Sequence, residues 1–161
     1  MKTAQNAVSD MEHKHESYMK RALELASHAG ERGEVPVGAL IVRDGIIIAE
    51  AENANRAMRN PIRHAEIIAI SRACEYLGNE RLNGCDLYVT KEPCTMCAGA
   101  IIHARIKTVY IGTPDAKYGA CGTVFDICAN SNYNHNPDIV FNILQKECET
   151  QLKDFFRALR A

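Results

Sequence analysis

Four residues that can bind a metal or transfer a proton lie in two short, otherwise apolar stretches. "HAEIIAI", residues 64–70, contains His64 and Glu66, and "PCTMC", residues 93–97, contains Cys94 and Cys97. A Cys-x-x-Cys pair is typical of three kinds of site: a thioredoxin-like redox pair, half of a structural zinc site, or part of a catalytic zinc site. The cysteine pair alone leaves all three open.

The spacing of His64 and Glu66 indicates the start of a helix. In a helix interior, residues two positions apart point about 200° away from each other, so they cannot face one site. At a helix N-terminus the side chains splay around the opening, and the preceding "NP" is typical of such a start. Cys94 and Cys97 begin a second predicted helix, whose N-terminus favours thiolates. We therefore expect these two helix N-termini to meet at one site.

Counting the ligands favours a catalytic metal site. His64, Cys94 and Cys97 supply three, whereas structural zinc normally has four protein ligands, and no further Cys or His has matching spacing. Three ligands leave a position for water, which is the catalytic arrangement. We predict one zinc ion per chain, with Glu66 taking a proton from that water and passing it to the substrate.

The elements that must position these residues follow from the hydrophobic pattern. Helices are predicted over 16–32, 64–77, 95–104 and 146–160, with a short helical piece at 123–129. Strands are predicted over 35–42, 46–51, 85–90, 107–112 and 139–143, the first two joined by a hairpin at Asp44-Gly45. Alternation of strands and helices predicts parallel strands with helical crossovers. The expected fold class is α/β, a three-layer α/β/α sandwich around a mixed five-stranded sheet.

Composition indicates one domain in a reducing compartment. The 161 residues, 47% hydrophobic, suit a single domain over 16–161, after a polar lead-in at 1–15 that is expected to be flexible. Seven cysteines without disulfide-framework spacing favour the cytoplasm. No signal peptide or transmembrane run is visible, so no membrane partner is expected. Because the formal net charge is −1, any RNA must be bound by local charges.

Taken together, these motifs resemble those of a known family. H-x-E followed by P-C-x-x-C matches the signature of zinc-dependent nucleobase deaminases. From about Tyr18 to Arg160 the chain closely resembles the bacterial tRNA-specific adenosine deaminases, most specifically in "EPCTMCAGAIIHARI" and "DFFR". The resemblance implies a cytidine deaminase-like fold and a homodimer without an organic cofactor. It also implies conversion of adenosine to inosine at the wobble position of an arginine tRNA anticodon.

The resemblance also implies contacts with the substrate. By matching position, Asn53 would hydrogen-bond the flipped base, Asp115 and Lys117 would touch the RNA backbone, and Phe156 would belong to a C-terminal helix along the anticodon cleft. Each residue has an ordinary structural alternative. Asn53 is also suited to capping a turn, "DAKYG" is typical of a surface turn, and a phenylalanine is more often a core residue than a base platform.

Two basic residues depart from the family pattern. Arg63 stands where the family usually has a small residue before the histidine, and Lys91 where it usually has an apolar residue before "EPC". Beside the predicted site, these charges would add contacts to phosphates or reshape substrate preference. The alternative is that they point away into solvent or pair with acidic neighbours.

Three other functions remain to be distinguished. The nearest is a deaminase of free guanine, cytosine or cytidine on the same fold, which would need a lid over its pocket rather than an open, basic cleft. A non-catalytic, zinc-binding partner subunit should lack the glutamate of the first motif, and Glu66 is present. A thiol redox protein does not account for His64 and Glu66.

Overall fold

The computed structural model describes residues 3–161, which form nine regular elements around one sheet. The helices are α1 (Ala4–Glu31), α2 (Ala65–Leu77), α3 (Thr95–His103) and α4 (Gln145–Arg160). The strands are β1 (Gly38–Arg43), β2 (Ile46–Glu52), β3 (Cys85–Lys91), β4 (Thr108–Thr113) and β5 (Asp138–Val140). None of the helices within these residues is long and apolar enough to cross a membrane.

The sheet is mixed, with strand order β2-β1-β3-β4-β5. Strand β1 runs antiparallel to both of its neighbours, whereas β3, β4 and β5 are parallel to one another. Asp44 and Gly45 close the β1–β2 hairpin with positive φ angles of 50° and 77°, as a tight two-residue turn requires. The predicted five-stranded mixed sheet is confirmed.

Alternate side chains of each strand pack against different helical layers. Ala39 and Ile41 of β1 belong to a core shared with α2 and α3, whereas Leu40 and Val42 belong to a second core with α1. This alternation is the two-residue period of a strand buried on both faces. Strands β2 and β3 both run antiparallel to β1, so α2 and α3, which follow them, begin at the same end of the strands.

Helix α1 is longer than the sequence analysis predicts. It begins at Ala4 rather than at residue 16, so the segment predicted as a flexible lead-in is helical from residue 4 to 15; residues 1–2 lie outside the described part. Its residues are largely exposed until His15, whose ring stacks on Tyr110 with centroids 4.3 Å apart. Nδ1 of His15 also lies 2.6 Å from the hydroxyl of Tyr88. These contacts of His15 with β3 and β4 anchor the helix to the sheet, although the sequence around His15 is polar.

Two further predictions are wrong in the C-terminal half. The last strand ends at Val140 instead of residue 143, because Asn142 and Leu144 take left-handed conformations that turn the chain into α4. Residues 123–129 contain no helix; they fold around an isolated bridge between Cys121 and Asp126. Neither feature follows the local hydrophobic pattern.

Candidate active site

His64 and Glu66 lie at the N-terminus of α2, as their spacing indicates. His64 is the N-cap residue, with an extended backbone (φ −71°, ψ 152°), and its own side chain makes no capping bond. The cap comes instead from Asn53, whose Oδ1 accepts the N–H of Ala65 at 2.8 Å. The His64 ring is therefore free to face the site, while Glu66 points inward from the first helical turn and is 4% exposed.

Cys94 and Cys97 occupy the matching positions on α3. Cys94 is the N-cap residue and Cys97 lies in the first turn. Nδ1 of His64 lies 3.6 Å from Sγ of Cys94 and 3.5 Å from Sγ of Cys97. The three ligand atoms all lie within 4.8 Å of one another. The structure thus brings together at one point the two helix N-termini that were expected to meet.

These distances fit a tetrahedral metal centre. Zinc with bonds of about 2.0 Å to nitrogen and 2.3 Å to sulfur separates those two ligand atoms by about 3.5 Å. The observed nitrogen–sulfur distances of 3.5 and 3.6 Å match that separation. Two thiols and one imidazole are also ligands that suit zinc. The group can hold a metal ion and leaves one coordination position for water or substrate.

The cluster already favours one thiolate on electrostatic grounds. A hydrogen bond from the Cys97 thiol lowers the pKa of Cys94 to about 4, with His64 acting in the same direction against burial. The same hydrogen bond raises the pKa of Cys97. Metal binding requires deprotonated sulfur, so a thiolate at Cys94 suits a metal ligand.

His64 and Cys94 line a cavity of about 340 Å³, and Cys97 is buried behind it. Its walls combine apolar side chains with a few polar groups, the usual composition of a small-ligand site. Besides His64, Cys94 and Glu66, the lining includes Val35, Val37, Asn53, Asn55, Lys91, Glu92, Asp115 and Tyr118. The volume is sufficient for one nucleobase with part of its sugar.

Glu66 is the one lining carboxylate with an available oxygen. Its Oε2 is buried and has no hydrogen-bond partner within the described residues. Burial raises the pKa of Glu66, because the charged form is desolvated. A buried carboxylate with a free oxygen and a raised pKa, beside a metal-binding group, is suited to accepting and returning a proton.

Glu92, which the sequence analysis does not single out, lines the same cavity and holds the loop that follows β4. It is 3% exposed, and its carboxylate accepts the N–H groups of Asp115 at 2.9 Å, Thr123 at 3.1 Å and Cys121 at 3.2 Å. A Cβ at Gly119 would collide with its Oε2, so the loop closes tightly around this carboxylate. The detectable signal was a charged residue directly before Pro93-Cys94, at the end of an apolar strand.

The residues predicted to contact substrate are divided between the cavity and its surroundings. Asn53 and Asp115 line the cavity. Lys117 is exposed outside it, with Nζ 5.1 Å from the centre of the Tyr118 ring. Phe156, 39% exposed, lies in a separate groove with Pro114, beside two α4 arginines.

Asn53 has a structural role of the kind that the alternative named, although it caps helix α2 rather than a turn. Its Nδ2 donates to the carbonyl of Val35 at 3.1 Å, in addition to the Oδ1 bond that caps α2. The amide is thereby held in one orientation at the cavity wall. Its second N–H and its second lone pair stay available to a ligand.

Lys91 and Arg63, the two basic residues that depart from the family pattern, lie in different cavities. Lys91 lines the cavity and its Nζ pairs with Oδ2 of Asp115 at 3.1 Å. Burial would raise the pKa of Asp115, but the N–H of Lys117 and the Lys91 ammonium outweigh burial and lower the pKa. Arg63 faces a second cleft, on the other side of the loop that carries Asn53 and Asn55.

The fold and this site are those of a deaminase. Residues 13–160 match the family described as MafB19-like deaminase, and the chain belongs to that family. Its relatives include the tRNA-specific adenosine deaminase of Bacillus subtilis (strain 168), 45% identical over 145 residues, which cover 90% of each chain. That of Agrobacterium fabrum is 46% identical over 143 residues, covering 89% of this chain and 94% of the other. The resemblance predicted from the sequence is confirmed.

Solved structures give a consistent result. A structure from a study of A-to-I editing by tRNA:A34 deaminases at the wobble position of transfer RNA has a TM-score of 0.82 and 45% identity. The match covers 84% of this chain and 98% of that one. A guanine deaminase from Bacillus subtilis has a TM-score of 0.61 and 41% identity, covering 71% of this chain and 73% of the other. The cytidine deaminase-like fold is confirmed.

Proposed function

We propose that this protein hydrolyses adenosine to inosine at the wobble position of a tRNA anticodon, with an arginine tRNA as the expected substrate. The observation that carries the proposal is the buried Glu66, with its unpartnered Oε2, beside the converging His64, Cys94 and Cys97. The identity with tRNA-specific adenosine deaminases over about nine-tenths of the chain supports the choice of substrate.

His64, Cys94 and Cys97 would hold one zinc ion. Zinc at these ligands supplies Lewis acidity, which brings the pKa of water towards neutrality. The chain's own contribution is to direct Nδ1 and the two sulfurs to one point from two rigid helix ends. The apolar walls formed by Val35 and Val37 limit the access of bulk water.

Glu66 carries the protons of the reaction. In the proposed mechanism its free oxygen takes a proton from the attacking water as oxygen bonds to C6 of adenine. The carboxyl group delivers this proton to ring nitrogen N1 and then transfers the second water proton to the departing amino group. Adenosine and water thereby give inosine and ammonia, and Glu66 ends in its starting form.

The remaining cavity residues would bind and orient the nucleotide. Asn53, held by Val35 and Ala65, offers an N–H and a lone pair towards the base. Lys91 is the one permanent cation of the cavity lining and is suited to a phosphate at the rim. A nucleotide in an anticodon loop is already unpaired, so its extrusion into the cavity costs only a few kcal/mol or less.

Deamination of free guanine is the second candidate, because the guanine deaminase of Bacillus subtilis is 41% identical over the matched region. The two candidates differ in whether the substrate must be part of an RNA. The decisive assay measures inosine formed in an arginine anticodon stem-loop, with free adenosine, cytidine and guanine in parallel. We expect turnover of the stem-loop alone. Turnover of guanine with no reaction of the stem-loop would replace the proposal with the second candidate.

We also propose that the protein acts as a homodimer in the cytoplasm. The basis is the resemblance to the tRNA-specific adenosine deaminases, which implies a homodimer. Light scattering of the zinc-loaded protein, with and without the stem-loop, tests the dimer. A monomeric mass under turnover conditions would contradict it.

A further inference from the structure

The loop between β2 and α2 separates the catalytic cavity from a second cleft of about 330 Å³. Asn53 and Asn55 of this loop line the cavity, whereas Ala54 and Met58 line the cleft. Arg63, directly before the metal-binding histidine, also lines the cleft. The two concavities are therefore immediate neighbours, with a single segment of chain between them.

Positive charge predominates among the residues of the cleft. The lining contains Arg32, Arg63 and Arg72 with Glu52 and Glu75. Arg32 is already paired, because its Nη1 lies 3.4 Å from Oε1 of Glu52. The remaining charged groups of the lining are Arg63, Arg72 and the exposed Glu75, in a protein whose formal net charge is −1. Nη1 of Arg72 donates to the carbonyl of Glu50 at 2.7 Å, and Oε2 of Glu52 is buried without a hydrogen-bond partner within the described residues. A local excess of cations on a slightly acidic protein indicates an anionic partner.

Arg63 is the residue without a counter-ion. Its Nε is buried without a hydrogen-bond partner, and its guanidinium makes no ion pair with any group in residues 3–161. Arg63 as a whole is half-buried, and a guanidinium nitrogen withdrawn from water without an acceptor carries a desolvation cost that an anion would offset. Its backbone is fixed, because its carbonyl accepts the N–H of Ala54 at 3.0 Å. The Nε–H of Arg63 thus lies at the cleft without an acceptor among the described residues.

We propose that this cleft binds a backbone phosphate of the RNA substrate, with Arg63 as the principal ligand and Arg72 beside it. The planar guanidinium matches a phosphate with two parallel hydrogen bonds. Because one loop separates the two concavities, the phosphate belongs to a nucleotide close to the reacting adenosine. The inference rests on the proposed function. It assigns to Arg63 a phosphate contact that a small residue at this position cannot make.

The first test compares Arg63→Gln with Arg59→Gln. Arg59 lies in the same loop and is exposed, but it does not line the cleft, so its replacement removes the same charge without the contact. We expect Arg63→Gln to raise KM for the stem-loop roughly fivefold, as loss of a charge-assisted contact would, with little change in kcat. For the Arg63→Gln variant, the slope of log affinity against log salt concentration should decrease in magnitude by about 0.7, the value for one phosphate contact with a single strand. Arg59→Gln should leave KM and slope near wild type.

Equal slopes for the two variants would overturn the proposal, because a non-specific charge effect does not depend on the cleft. A second test replaces the phosphates of the stem-loop, one at a time, by neutral methylphosphonates. One linkage near the reacting nucleotide should weaken binding to the wild type but not to Arg63→Gln. If every linkage has the same effect on both proteins, Arg63 binds no phosphate. Failure of the proposed function is distinguishable, since the wild type would then form no inosine at all.

Discussion

Two glutamates of the same cavity are buried to nearly the same extent and differ in their hydrogen bonds. Glu66 and Glu92 are 4% and 3% exposed. The carboxylate of Glu92 accepts three backbone N–H groups of the loop that follows β4, whereas Oε2 of Glu66 has no partner within the described residues. We describe Glu92 as saturated, because both of its oxygens are hydrogen-bonded, and Glu66 as available, because one of its oxygens is not.

The contrast separates two uses of a buried charge. A saturated carboxylate stabilises a backbone conformation, and its loss leaves N–H groups without acceptors. An available carboxylate contributes little to stability and can exchange a proton with a ligand. We therefore expect replacements of Glu66 to affect catalysis and replacements of Glu92 to affect stability first.

The largest effect is expected from removal of the metal. Chelation should abolish turnover, because Glu66 alone has no activated water from which to take a proton. It should also lower the melting temperature, since the metal binds only the folded site. Zinc content by atomic absorption, with activity before and after re-addition, measures both effects. Full activity in metal-free protein would show that the cluster is not a catalytic zinc site.

Replacement of Glu66 by Gln should reduce kcat by about a thousandfold or more, because it removes the proposed proton carrier. Zinc content should stay at one per chain and stability should be equal or higher, since a buried charge without a full set of partners is lost. Single-turnover kinetics measures the loss of activity, and chemical denaturation measures the change in stability. Loss of zinc would mean that Glu66 is a ligand, which would remove the contrast with Glu92.

Replacement of Glu92 by Gln should destabilise the protein by about 2–3 kcal/mol. The amide retains one acceptor oxygen but presents an NH₂ group to backbone N–H donors, which leaves part of the loop unsatisfied. Urea denaturation with the metal bound measures the change, and Glu80→Gln, at an exposed position, is the matched control. Stability equal to that of the control would show that the loop does not depend on this carboxylate.

The smallest effect is expected from Lys91→Leu, which restores the apolar residue usual in the family. Asp115 keeps the N–H groups of Lys117 and Tyr118, so the loop should persist, with a loss of about 1 kcal/mol or less from the ion pair. KM for the stem-loop should rise about twofold to threefold as one rim cation disappears. An unchanged KM and an unchanged salt dependence would mean that Lys91 pairs only with Asp115 and does not contact the RNA.

Much of the site was predictable because its chemistry depends on short motifs. The spacing of His64 with Glu66 and of Cys94 with Cys97 indicates helix N-termini, and local helix geometry then orients each pair. The hairpin at Asp44-Gly45 likewise follows from two residues that tolerate positive φ. The roles of Asn53, Asp115, Lys117 and Phe156 towards RNA stay predictions.

The features that differ from the sequence analysis depend on particular contacts, some within a loop and some between distant residues, that a hydrophobic pattern does not encode. Residues 123–129 were predicted as helical from their apolar content, yet the N–H groups of Val124 and Phe125 both donate to the carbonyl of Gly119, and that of Thr123 to Glu92. The early start of α1 is likewise accompanied by the packing of His15 on Tyr88 and Tyr110. Local propensity carries no information about such partners.

By itself the sequence determined the class of protein, the α/β order of elements and the groups that can hold a metal and move a proton. Each of these depends on residue type and short spacing, which the chain carries locally. Only the tertiary structure decided that Glu92 is saturated while Glu66 keeps a free oxygen. It also decided that Lys91 turns into the cavity towards Asp115 while Arg63 turns into a separate cleft. These outcomes depend on which backbone and side-chain groups the fold brings within about 3 Å, the range of a hydrogen bond.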